Sequence, residues 1–246
     1  MKPRTIGILA IALVLALLPA AHAQSINVDL SQMGQNGATS RLIQLTAVIT
    51  ILSLAPSLLV MITAFTRIVI VLSLLRSAIG AQGTPPNMVM IGLALFLTFF
   101  VMEPTLSDAW ANGLLPLSQG KISDLDGLAR AALPFHRFMT ANLRAADLDL
   151  FLKLGHVAPS AKIDDTPWRV LVPGFIVGEL RRAFEMGFLL YLPFLVIDAV
   201  VASILMSLGM MMLPPATVSL PFKLIFFVMV DGWRLVAGSL VQSFSS

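Results

Sequence analysis

Two charged residues, Asp198 and Lys223, stand inside apolar runs, and nothing charged lies between them. An acid or base in such a run is costly, and is normally paired or turned toward a water-filled path. Midway between them the chain reads Gly209-Met-Met-Met-Leu-Pro-Pro215. A hairpin turned at that loop brings Asp198 and Lys223 to similar depth. The spacing therefore predicts a salt bridge, within one copy or between neighbours. The competing chemistry is a proton relay through Asp198, which would suit a small-solute or ion transporter.

The loop itself offers a different capability. Met210, Met211 and Met212 carry flexible, polarisable thioethers that re-pack at little cost. Pro214 and Pro215 remove backbone donors and discourage helix before them. Open backbone in lipid needs cover from protein or a lined cavity. The loop is either a well-covered turn in a helical bundle or a deformable seal around something that passes.

Enzyme chemistry finds no foothold. There is no cysteine, and the three histidines, His22, His136 and His156, have no near partner for a metal site. No glycine loop with a lysine is present to cradle phosphate, and no serine is placed with a base. No cofactor and no metal are expected, and energy from ATP or a proton gradient would have to be used by partners. Residues Glu179, Arg181, Arg182 and Glu185 decorate the start of an apolar segment. They form either an exposed helix start or ion pairs between copies in a ring.

The elements that would position these groups are helices. The chain of 246 residues is 57% apolar and 12% charged, with a mean hydropathy of +0.90. Soluble domains carry about 25% charged residues, so this is a membrane protein, with length for about four spanning helices of roughly 20 residues each. The net charge of +3 includes Lys2 and Arg4; it gives no argument for nucleic acid.

Residues 1–23 read as a signal peptide, with Lys2 and Arg4, an apolar stretch, and Ala21-His22-Ala23 before cleavage between Ala23 and Gln24. Residues 24–41 are polar and read as a flexible exported arm. Residues 42–104 form the first helical hairpin. Its opening run to Arg76 would measure about 50 Å as one helix, with Pro56 as a candidate kink. Arg67 and Arg76 suit a helix leaving the membrane with its positive end inside. Gly80 to Pro86 makes the turn, and the return run stops at Glu103-Pro104.

Residues 105–178 form an amphipathic helical middle region. Asp124 and Asp126 suit a helix start, and Arg130, Arg137 and Arg144 recur every seven residues as a solvated row. Phe138 and Phe151 are core residues or contacts between copies. Residues 179–246 form the second hairpin, with the methionine loop at its turn. An internal echo links the hairpins. Ser-x-x-Gly80, Pro85-Pro86 and Phe-Phe-Val-Met before Glu103 match Ser207-Leu-Gly209, Pro214-Pro215 and Phe-Phe-Val-Met before Asp231. Such internal repeats are common in transport folds.

Longer blocks carry a family resemblance: Phe65-Thr-Arg-Ile-Val-Ile-Val-Leu72, Thr84-Pro-Pro-Asn87, Ile91-Gly-Leu-Ala-Leu-Phe-Leu-Thr98, Pro193-Phe-Leu-Val-Ile-Asp198 and Val200 to Trp233. Together they resemble the FliP/SctR export-gate proteins of type III secretion, over nearly all the chain after the leader. The middle region is the weakest part. The leader and the Gln-Ser-Phe-Ser-Ser ending favour the flagellar branch over the injectisome branch.

The resemblance implies an all-α protein whose hairpins assemble into a ring of about five copies. That ring would be completed by FliR and FliQ, with FlhB and FlhA as further partners. It would sit at the bacterial inner membrane in the flagellar basal body, largely raised above the membrane plane. Its central channel would pass unfolded export substrates, and Met210, Met211 and Met212 would line it as a gasket.

Overall fold

The computed structural model describes residues 60–244 except Gln82, 158–164 and Met211, together with Thr46, Ile49, Thr50, Ser53 and Ser57. The chain divides into two compact units, 1–52 and 53–246, and the second is the one built up below. The expected leader with its Ala23–Gln24 cleavage point, and the expected arm at 24–41, lie outside the described residues.

Every regular element among the described residues is a helix. Helix α1 is Phe65–Ile79 and α2 is Asn87–Ala109, continued by a π turn, Trp110–Leu114, and a short α3, Leu115–Ser118. Then come α4, Asp124–Asn142, and α5, Ala145–Leu154. The long α6 is Trp168–Ser207, followed by α7, Pro215–Met229, and α8, Gly232–Gln242.

The first run is not one helix. Residues 62–64 form a turn and the helix restarts at Phe65. The Thr63 hydroxyl donates to the Val60 carbonyl at 3.1 Å and accepts from the Phe65 amide at 3.4 Å, the local competition with backbone pairing that threonine offers. Helix α1 ends at Gly80, whose φ of 77° suits a residue without Cβ.

Two expected boundaries move. Helix α2 does not stop at Glu103-Pro104 but runs through Pro104 to Ala109, since neighbouring helices and local adjustments tolerate proline in apolar helices. The distortion appears six residues later, as the π turn. There Gly113 lies so close to α4 that a Cβ would stand 2.6 Å from Ala131. Likewise α6 begins at Trp168 and carries Pro173 and Pro193 inside it. The division expected at 178/179 therefore falls within one continuous helix.

Its 40 residues span roughly 60 Å, twice a hydrocarbon core of about 30 Å. Two stretches, 87–118 and 168–207, are long and apolar enough to cross a membrane. Helices α7 and α8 make a third only if counted together across their 63° bend. Among the described residues this gives two or three apolar spans; four were expected, and α1, at 15 residues, is too short to be one.

Helix α1 is the spine. It packs along α6 and α2, while α2 and α6 lack an extensive contact of their own. Arg67 of α1 meets Glu179 of α6, and Leu74 meets Gly187, so the two helices run in the same direction. A Cβ on Gly187 would lie 2.2 Å from Leu74 Cδ1 and 3.1 Å from Leu74 Cβ, so a larger residue there requires Leu74 to shift. Phe65 of α1 lines a pocket with Thr98 and Met102 of α2, so α2 runs the opposite way. The core between these helices holds Ile68, Val71, Leu72, Leu75, Met102, Ala183 and Phe194.

The two hairpins share their turn chemistry. Gly80 and Gly209 both take positive φ, 77° and 74°, where α1 and α6 end. Pro86 and Pro214 both stand at the N-cap of the returning helix. The middle region starts as its sequence suggests: Ser123 caps α4, accepting from the Asp126 amide at 3.2 Å and donating to its carboxylate at 2.7 Å.

Candidate functional site

Lys223 enters the bundle from the third turn of α7 and is nearly fully buried. Its ammonium donates to Asp198 Oδ2 at 2.6 Å and to the Ala78 carbonyl at 3.1 Å. Ala78 lies in the last turn of α1, where free carbonyls and the helix dipole favour a cation. Ser219, one turn before Lys223, donates to Asp198 Oδ1 at 2.5 Å. The structure thus brings Asp198 and Lys223 together within one copy. Three helix segments (the end of α1, the last third of α6 and the middle of α7) are tied at a single ammonium, two to three turns below the methionine turn.

That turn is open. The Met210 amide bonds the Leu205 carbonyl at 3.0 Å, continuing the last turn of α6 past Gly209. Met210 is 44% exposed and Met212 is 99% exposed. Met211 lies outside the described residues. Leu208 and Leu213 are exposed beside Met210 and Met212, and a contiguous apolar patch marks an interaction surface where a single exposed side chain does not.

A second ion pair has no counterpart in the sequence reading. Arg67, fully buried, grips Glu179 with two parallel bonds, Nε to Oε2 at 2.7 Å and Nη2 to Oε1 at 2.5 Å. Its remaining nitrogen donates to the Ser243 carbonyl at 2.9 Å and hydroxyl at 2.8 Å. The Phe244 ring covers the guanidinium at 3.7 Å, and Phe138 stacks on Phe244 with centroids 6.0 Å apart. Arginine suits this role because its planar fork matches a carboxylate and its face stacks on a ring.

This corrects two expectations. Arg67 is not a cation at a membrane exit. Glu179 is not presented to a neighbouring copy: it is 0% exposed and its carboxylate is taken inside the chain, because a buried arginine lies opposite and no water reaches either. Of the other proposed contacts, Phe138 packs edge-on to Phe175 at 5.8 Å. Phe151 lies against Gly174, whose added Cβ would be 3.5 Å from its ring.

Around this pair the remaining charges are shared out unevenly. Arg144 holds Glu185 through two bonds at 2.9 and 3.3 Å, and Arg181 reaches Asp147 at 3.2 Å. Asp147 Oδ2 is buried without a partner. Arg182 has no carboxylate within ion-pair range among the described residues, since Glu179 and Glu185 are engaged by Arg67 and Arg144. No cluster that could hold a metal ion occurs among them either.

An all-α bundle with two or three apolar spans, charges joined inside it and an uncovered methionine turn defines a membrane protein of assembly or transport type. Comparison with known proteins makes this specific. The FliP family model matches residues 48–240. The chain is 52% identical to the flagellar biosynthetic protein FliP of Caulobacter vibrioides, over 97% of this chain and 90% of that one. It is 47% identical to that of Agrobacterium fabrum, over 97% and 98%, and 48% identical to that of Bacillus subtilis, over 83% and 93%. The chain belongs to the FliP family.

Proposed function

We propose that this chain is a channel-forming subunit of the flagellar type III protein-export gate, with its methionine turn as the seal. In this reading about five copies form a ring with FliQ and FliR, and FlhB and FlhA join it. The assembly sits in the inner membrane at the flagellar basal body and passes unfolded substrates. It has no catalytic centre of its own.

The observation that carries the reading is Met212, 99% exposed at the tip of a hairpin whose base is fixed by the Lys223–Asp198 bond. A rigid stem and an uncovered, pliable tip are what a seal needs. Copies converging on an axis would close an apolar constriction that water and ions find unfavourable. Thioethers would still yield to an unfolded chain of any sequence, which stiff β-branched side chains would not.

The test replaces Met210, Met211 and Met212 together by glycine. Small-ion leakage through the assembled complex should rise while recovery of the complex stays near that of the unmodified protein. An assembled triple variant with unchanged permeability would refute the seal.

A further inference from the structure

Helix α6 ends on two backbone bonds of a defined kind. The Gly209 amide donates to the Met206 carbonyl at 3.1 Å, and the Met210 amide donates to the Leu205 carbonyl at 3.0 Å. With Gly209 at a φ of 74°, this is the glycine-terminated helix end in which the residue after the glycine commonly packs back on the final turns. That residue is Met210, and the motif directs it toward Ile204 and Leu205.

Ile204 and Leu205 form the upper end of an apolar groove of about 420 Å³ between α6 and α7. Val196, Val200 and Ile204 recur every four residues along its α6 side, and Val218 and Phe222 along its α7 side. Every residue that lines it is apolar. Short, β-branched side chains leave it concave, because they neither reach far across nor change rotamer easily. Its lower end holds Phe222, next to Lys223 and the bond that fixes the stem. The groove is therefore a firm recess whose mouth lies at the methionine turn.

We infer that this groove receives the Met210 side chain when the seal opens. This rests on the seal proposed above and adds how it opens.

A closed seal holds thioethers against one another, and a passing chain has to displace them. Turned into water, they would lose the burial that closed the seal. Turned into the groove, Met210 exchanges one apolar surface for another. An unbranched side chain makes that exchange by rotation about its own bonds, so the Met210 amide keeps its hold on Leu205. The two described methionines then divide the work. Met212, 99% exposed at the tip, meets the passing chain, while Met210, 44% exposed, is already half covered beside the recess.

Filling the groove tests this, in cells that carry the assembled complex. Val200→Phe, and separately Val218→Phe, each put a larger side chain into the recess from a position outside the methionine turn. Recovery of the complex and ion leakage through the idle gate should match the unmodified protein. Secretion of export substrates should fall roughly tenfold, the factor given by about 1.4 kcal/mol. Adding Met210→Ala to Val200→Phe should restore most of the secretion, because alanine needs no recess. Adding Met212→Ala instead should not.

Normal secretion from both filled variants would overturn the recess. So would rescue by Met212→Ala as readily as by Met210→Ala, or rescue by neither. Loss of the assembled complex in both filled variants would show the groove to be covered by a neighbouring copy, and would overturn the recess too. In all these cases the seal stands, because it is tested by leakage through the triple glycine variant. An assembled triple variant that does not leak would overturn both.

Discussion

Replacing Arg67 alone should be far more damaging than replacing Arg67 and Glu179 together. Both side chains are fully buried, so Arg67→Met leaves a carboxylate in the core with its two bonds gone. Removing one partner of such a pair costs about 3–5 kcal/mol, whereas apolar replacement of both is often neutral or better. Against a total stability of about 5–15 kcal/mol, the single change is close to disabling. One kcal/mol corresponds to about 2–4 °C for a chain of this size, so the unfolding temperature should fall by roughly 6–20 °C.

Glu179→Gln should fall in the same direction by less, because the amide can still accept one bond from the guanidinium. Arg67→Met with Glu179→Met should recover most of the loss. A residue of about 2 kcal/mol should persist, because the ring of Phe244 then has no cation beneath it and Ser243 loses its donor. The assay is the temperature at which half of the detergent-solubilised protein precipitates. If the double variant is as unstable as Arg67→Met, the stranded-charge argument fails, and it is the pair's own attraction that holds the core.

The Lys223–Asp198 pair answers to a different substitution. Lys223→Ala should impair assembly and export, with a cost toward the lower end of about 3–5 kcal/mol, because Asp198 is a third exposed and keeps its bond from Ser219. Asp198→Lys combined with Lys223→Asp should regain part of the export measured by swimming or secretion; a proton relay through Asp198 would give no recovery from any swap. Gly187→Val should separate α1 from α6, since its Cβ alone would lie 2.2 Å from Leu74. Combining it with Leu74→Ala should restore part of the assembled complex on a native gel, and an unaffected Gly187→Val would show that the helices part freely.

What was legible in the sequence had a local or periodic origin. The turns at Gly80 and Gly209 were visible because glycine and the following prolines dictate backbone at those positions. The start of α4 was visible because Asp124 and Asp126 suit the first turn of a helix; the Ser123 cap was found only in the structure. The Asp198–Lys223 bond was visible because one hairpin connects the two residues, so depth alone brought them level. Proline misled: Pro104 was read as the end of an apolar run, yet it lies inside a helix whose neighbours support it.

Arg67 and Glu179 show why the rest stayed hidden. They are 112 residues apart, on helices of different hairpins, and Arg67 sits where an arginine equally well marks a membrane exit. Nothing in the spacing tells a buried arginine from a snorkelling one. The distinguishing partner is the Ser243–Phe244 tail, which reads in sequence as a polar ending and in the structure as a lid over the guanidinium. The four charges at 179–185 were likewise read as one group facing one way. On the helix they divide: Glu179 turns inward to Arg67, Glu185 and Arg181 turn to Arg144 and Asp147, and Arg182, half-buried, has no ion pair among the described residues. A helix start with two acids and two bases looks neutral by composition, but partition among its faces leaves a directed surplus of one positive charge. The direction of each of these charges is set by its partner, Arg67 on α1, Arg144 just before α5 and Asp147 in α5, and none of those partners lies near it in sequence.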